Sequence, residues 1–388
     1  MASRIAAAVV RVWPRWLPAG LVGMCCLVLA VESVLARHAL KFSNPVGLEW
    51  QWSARAAERK VKGCEVLCFG DSTTKLGVLP RALESRSGKR AYNLAMGGAE
   101  VPAHYYLLRR ALRAGARPSA VVMGCLPRLL QSGPQRNAEI WPYMLTTADC
   151  ADLAWNARDA SLFAALITAR WVPSIRYRFP LRDAIKKGWR KEFDHNRRTA
   201  RIIAQHWDLH QGAMPLGSLP PGKSHPPVAQ WGSGFFGDLA CLDINAVYIR
   251  RFLKLAQDEQ IKVYWLVLPI VPELHEWCQQ HGFDASYTCY LQSLQRKFPD
   301  LTIVDARAAH YDPAVFQDPH HLGFAGAMAY SMDLGDVLHD DALGTTPRTF
   351  WRSMPSYRPL EQHFPVEDPG RSQLALRHDL LPSQVQRR

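Results

Sequence analysis

VLCFGDSTTKLG, residues 66–77, is the stretch on which the reading of this chain turns. An apolar run stops abruptly at Gly70-Asp71-Ser72. A short apolar run closed by glycine reads as a buried strand. In a parallel sheet, ligands collect outside the carboxyl ends of the strands, so Ser72 would face that crevice. The glycine permits a tight turn there, and the residues after it offer backbone N–H groups. Gly-Asp-Ser alone is weak evidence, because such a tripeptide also arises by chance in a turn.

Working outward, the same grammar repeats. CEVLCFG (64–70), RAYNLAMGG (90–98), SAVVMG (119–124), KVYWLVLP (262–269) and LTIVDAR (301–307) read as five short buried strands. TTKLGVLPRALESR reads as a loop running into a helix. Helical spacing marks 104–115, 243–260, 286–298 and the closing segment 321–338. Buried strands alternating with helices predict an α/β domain: a doubly wound, flavodoxin-like parallel sheet of five strands with helices on both faces. The third and fourth strands lie more than a hundred residues apart, far beyond a simple crossover, so 131–242 is an insertion. Its first part, 146–171, is helical in pattern, and its later part, 212–234, is a Pro/Gly-rich irregular loop.

The ends of the chain read differently. Leu17–Ala36 is apolar except for Glu32 and Ser33, long enough to span a bilayer, and preceded by Arg4, Arg11 and Arg15 without an acid. That order predicts a single-pass anchor in the cell membrane, with the N-terminus cytoplasmic and the main domain outside. A cleaved signal peptide is the rival; the run is long for one and lacks a clean small-x-small site. The expected division is 1–42 as cytoplasmic N-terminus and anchor, 43–342 as the α/β domain (core 64–130 and 243–338), and 343–388 as a disordered polar tail.

The formal net charge is +13, and much of it is local. Residues 170–201 carry Arg170, Arg176, Arg178, Arg182, Lys186, Lys187, Arg190, Lys191, Arg197, Arg198 and Arg201 against Asp183, Glu192 and Asp194. Such a stretch fits a solvated face or a segment against anionic lipid beside the anchor; the sharper reading is a groove for an acidic glycan. An outward-facing domain rarely meets nucleic acid, so none is expected as partner. Of the nine cysteines, Cys64, Cys68 and Cys125 read as small core residues. Cys25 and Cys26 lie in the span, and Cys150, Cys241, Cys278 and Cys289 in more polar surroundings. Cys278 and Cys289 could be bridged across a short loop, which spacing alone does not establish. No C-x-x-C pair suggests zinc, and no metal or organic cofactor is expected.

A serine nucleophile needs a base and a group that orients the base. FQDPHHLGFAGA supplies both just after the fifth strand: Asp318 and His321 are three apart, with His320 expected to point elsewhere. Gly-Asp-Ser after the first strand matched with Asp-x-x-His after the last is hard to obtain by accident. Ser72-Thr73-Thr74-Lys75 is also S-x-x-K, but that nucleophile motif needs S-D-N and K-T-G partners, and neither string occurs.

The joint pattern, Gly70-Asp71-Ser72 with Asp318-Pro319-His320-His321, resembles the SGNH/GDSL hydrolase family. The resemblance implies Ser72 as nucleophile, His321 as base and Asp318 as its orienting partner. It implies an oxyanion hole from the N–H groups of Ser72 and Gly98, with Gly97 as the alternative glycine. Lys75 and Asn93 are the expected substrate rim. The family's third block, G-x-N-D, reads Gly124-Cys125-Leu126-Pro127 here, so its Asn is absent. Losing one oxyanion donor costs ~10²–10³ in rate in a comparable site. The layout of anchor, external domain and basic insertion is similar to extracytoplasmic proteins that O-acetylate cell-surface polymers beside a membrane acyl carrier. It implies a serine esterase or O-acyltransferase acting on acetyl esters of a cell-envelope glycan. The alternative is a catalytically silent module that binds an acidic polymer through the insertion.

Overall fold

The computed structural model describes residues 19–37, 45–187, 200–217 apart from 202, 205 and 206, residue 228, 239–344 and 350–360. Arg4, Arg11, Arg15, the four basic residues between 188 and 199, most of the Pro/Gly-rich loop and the tail beyond 360 lie outside them.

The helices are α1 (Ala19–Arg37), α2 (Pro45–Arg59), α3 (Ser72–Gly77), α4 (Pro80–Ser87), α5 (Val101–Arg113), α6 (Thr147–Asn156), α7 (Ala160–Trp171), α8 (Pro173–Arg176), α9 (Arg178–Lys187), α10 (Asp243–Asp258), α11 (Pro272–Gln280), α12 (Phe283–Lys297) and α13 (Phe324–Leu343). The strands are β1 (Val66–Gly70), β2 (Ala91–Asn93), β3 (Ala120–Gly124), β4 (Lys262–Val267), β5 (Thr302–Asp305), β6 (Phe316–Asp318), β7 (His321–Leu322) and β8 (Trp351–Ser353). One parallel sheet runs β2-β1-β3-β4-β5-β8, and β6 and β7 form a small antiparallel hairpin. The chain is therefore α/β, with helices covering a parallel sheet.

The uninterrupted apolar runs follow from burial on both faces. Side chains alternate along each strand. Leu67, Phe69, Val121, Met123, Trp265 and Ile303 pack into one core with α2, α5 and α10. Val66, Cys68, Val122, Tyr264, Leu266 and Val304 pack into the other with α4, α11 and α13.

Three expectations are corrected. Among the described residues the sheet has six strands, not five: Trp351–Ser353, assigned to a disordered tail, pairs in parallel with Ile303–Asp305. Its anchorage is tertiary, through Arg352 on Asp341 and the Met354 N–H on Asp305 O at 2.8 Å. The segment after β1 is no loop, because Asp71 caps the Thr73 N–H at 2.8 Å and starts a helix at Ser72 itself. Cys278 and Cys289 are unbridged; Cys278 is buried in the core while Cys289 is exposed.

Helix α1 is long and apolar enough to cross a membrane, at about 27 Å for its 19 residues. Almost all of it is exposed; Leu35 alone is buried, against Tyr177 of the insertion.

Candidate active site

The nucleophile turn is built by steric necessity. Gly70 sits at φ +152°, and a Cβ there would lie 1.9 Å from Gly124 O and 2.3 Å from Thr74 Oγ1. No other residue fits between the two strand ends. The next residue, Asp71, is almost wholly buried and fully used: Oδ1 accepts from the Thr73 N–H and hydroxyl, and Oδ2 accepts from the Leu126 N–H at 2.7 Å. Burial raises its pKa, while these hydrogen bonds oppose the rise. Asp71 thereby staples the β1 exit to the β3 exit and presents Ser72 at the first turn of α3. N–H groups in that turn have no intrahelical acceptor.

The β6–β7 hairpin faces this turn. His321 Nε2 lies 2.8 Å from Ser72 Oγ, and His321 Nδ1 lies 2.6 Å from Asp318 Oδ2. The second carboxylate oxygen, Oδ1, accepts from the His320 N–H at 3.1 Å and the His321 N–H at 3.0 Å. Burial pushes the Asp318 pKa up, but the His321 hydrogen bond, the two imidazoles and the His320 backbone outweigh it and hold it at about 2. Asp318 thus stays ionised, and its bond fixes Nδ1 as the protonated nitrogen. Nε2 is left to accept from the serine hydroxyl. This is the geometry by which a serine is activated on unrelated folds. The His320 ring lies tilted against that of His321, with centroids 4.2 Å apart and planes at 45°. Burial, followed by the charge of His321, depresses its pKa to about 4, so at neutral pH it adds no charge.

The oxyanion side is only half legible. Gly98 lies in the turn after β2 at φ +64°, partly open to solvent. That turn is tied to the nucleophile strand by the Met96 N–H on Gly70 O at 3.0 Å. The alternative donor, Gly97, is committed elsewhere: its N–H donates to Glu49 Oε2 at 3.2 Å. Two residues missed in the sequence hold the turn. Asn137 Nδ2 donates to Gly98 O at 2.9 Å and to Glu100 Oε1 at 2.7 Å. Glu100 is wholly buried, its Oε2 has no hydrogen-bond partner among the described residues, and burial pushes its pKa up to about 7. No periodicity marks Asn137, which lies thirteen residues past Gly124 in a 3₁₀ turn.

Two rim assignments are wrong. Asn93 is fully buried: Nδ2 donates to Thr74 O and Val78 O, and Oδ1 accepts from the Ala95 N–H. It is a bracket for α3, not a substrate contact. Lys75 is 1% exposed, with its ammonium 3.1 Å from the centroid of the Trp207 ring. Burial lowers its pKa to about 7, opposed by Glu49. The cover over both comes from the insertion: the Met214 N–H donates to Lys75 O, and the Asn93 N–H to Gln211 O.

One potential ligand atom from each of Asp318, His320 and His321 lies within 4.8 Å of the other two. The 2.6 Å separation of Nδ1 and Oδ2 is that of a hydrogen bond, too short for both atoms to ligate one ion at ordinary metal–ligand distances. A small cavity of about 40 Å³ adjoins the site, lined by Thr73, Leu126, Pro127, Leu268 and His320 among others. No protein-family model matches the chain, and no curated protein sequence matches it.

Proposed function

We propose that this is a membrane-anchored serine esterase or O-acyltransferase resembling the SGNH/GDSL hydrolases, acting on acetyl esters of a cell-envelope glycan. The observation that carries this reading is the unbroken Ser72–His321–Asp318 chain, with links of 2.8 and 2.6 Å. A flavodoxin-like 2-1-3-4-5 strand order, extended by β8, is consistent with it.

Ser72 Oγ attacks the ester carbonyl as His321 Nε2 removes its proton. The carbonyl π electrons move to oxygen, where the N–H groups of Ser72 and Gly98 stabilise the negative charge. Collapse breaks the bond to the alkoxy group, which takes the proton from His321 and leaves as alcohol. Ser72 is then acylated. A second acceptor, water or a sugar hydroxyl, gives its proton to His321 and attacks the acyl carbon; the bond to Ser72 Oγ breaks, and Oγ takes the proton back from His321. Water makes an esterase; a sugar hydroxyl makes a transferase, fed by a membrane acyl-carrier partner.

The second reading, a silent module that binds an acidic polymer, is favoured by one observation. Where the family's Asn would stand, Leu126 offers only a backbone N–H, already given to Asp71. The test is labelling of the detergent-solubilised full chain with a fluorophosphonate, read by intact mass, beside Ser72→Ala. A single adduct absent from the variant supports the enzyme; no adduct on folded protein supports the module.

A further inference from the structure

The insertion presents a surface that a water-facing domain has no reason to keep. Trp155 at the end of α6 is 83% exposed, Trp171 at the end of α7 is 68% exposed and Ile185 on α9 is 66% exposed. Phe163, Ile175 and Phe179 are open as well. Monomeric soluble proteins seldom leave such a patch uncovered.

Its position names the occupant. Ser174 in α8 donates from both N–H and hydroxyl to the Glu32 carboxylate of α1, the former at 2.9 Å. Tyr177 buries Leu35 one turn further on, with Leu181 of α9 packed against them. Glu32 lies five residues before the end of α1, about 7 Å along the axis. When α1 spans a bilayer, that is the depth of its rim. The open side chains next to these contacts, Trp171, Ile175 and Phe179, are therefore held near the level where Trp and Phe sit in membranes.

Charge agrees. On α9, Arg178, Arg182 and Lys186 are spaced by four and share one stripe, flanked by Ile185 and Phe179 within an arc of about 120°. All five are exposed, while Leu181 faces α1. The guanidinium groups of Arg178 and Arg182 lie 4.7 and 5.4 Å from the Phe179 ring. A helix with aromatic and aliphatic flanks around a basic stripe, held beside a membrane helix, is built for anionic headgroups.

We propose that α7–α9 dock on the anionic surface of the bilayer that holds α1, so that the domain is mounted on the membrane through two contacts. The inference rests on the reading of α1 as a membrane helix. The test reconstitutes the full chain in lipid nanodiscs of phosphatidylcholine alone or mixed with phosphatidylglycerol. Hydroxyl-radical footprinting then reads Trp171 and Phe179. The expected result is co-elution with the disc and modification slowed about fivefold in anionic discs, with the slowing lost in R182E/K186E. Co-elution with full reactivity in anionic discs overturns the dock and leaves the anchor standing. Reactivity in discs with protection by added hyaluronate overturns it in favour of an acidic-polymer groove. Failure to co-elute refutes the anchor itself, and the dock with it.

Discussion

Two loops leave the same edge of the sheet side by side, one from β1 and one from β3. The first ends in a glycine that only glycine can fill and delivers Ser72 to His321. The second also begins at a constrained glycine, Gly124, where a Cβ would meet Leu268 and Thr74 at 2.6 Å. Yet it offers only backbone groups: Gly124 O accepts from the Asp71 N–H and the Thr74 hydroxyl, and the Leu126 N–H goes to Asp71. In the proposed reading, one loop carries the chemistry and the other holds it in place. The comparison teaches that a loop without the Asn of the SGNH/GDSL pattern can still hold a Ser-His-Asp arrangement together, because its backbone clamps the turn that presents Ser72.

If that division is right, the largest loss comes from the triad. Asp318→Asn frees the imidazole tautomer and should lower kcat for p-nitrophenyl acetate by about 10⁴, as it does where the same constellation has been cut. A loss under tenfold would mean that the hairpin is not catalytic. Next comes the staple. Asp71→Ala strands the Leu126 and Thr73 N–H groups, costing roughly 2–4 kcal/mol in urea unfolding and about 10² in kcat. An unchanged kcat would show the two loops to be independent.

The turn after β2 is tested by pH. The Glu100 pKa is raised from 4.5 to about 7 in the fold, so the folded state holds a proton that the unfolded chain has released. Its contribution is complete below pH 4.5 and is lost as pH rises to 7, by at most roughly 3 kcal/mol. Glu100→Gln removes that slope; melting curves of both proteins across the window should converge at the acid end and part toward neutrality. The smallest effect is expected at the β3 loop. Leu126→Asn introduces the residue type of the SGNH/GDSL pattern, but the Leu126 side chain is packed among apolar neighbours. Stability should fall by about 1–2 kcal/mol with kcat changed less than tenfold. A gain near 10² would show that the β3 loop is one amide short of full catalytic use.

The parts legible in the sequence share one physical cause: a residue whose neighbours lie close along the chain. Val66–Phe69 and Val121–Met123 are apolar on both faces, so their burial shows without knowledge of the partner strand. Asp318 and His321 lie three apart, and the hairpin that joins them is local. Lys75 and Asn93 were misplaced because charged and amide side chains default to the surface. The segment that buries them, around Trp207–Met214, arrives from more than a hundred residues away. Asn137 and Glu100 were invisible for the same reason. Trp351–Ser353 has no apolar pattern, and its strand identity comes entirely from the edge it joins.

That last strand has a practical consequence. A chain ended at Gly344, where composition suggests the domain stops, would strip β8 from β5. The N–H of Ile303 and the carbonyl of Asp305, now bonded to Phe350 and Met354, would face solvent along an apolar edge. Bare edges of this kind recruit one another. Such a shortened protein should elute as dimers and larger species, whereas one ended after Leu360 keeps β8 on β5 and should show no such gain in size over the full chain.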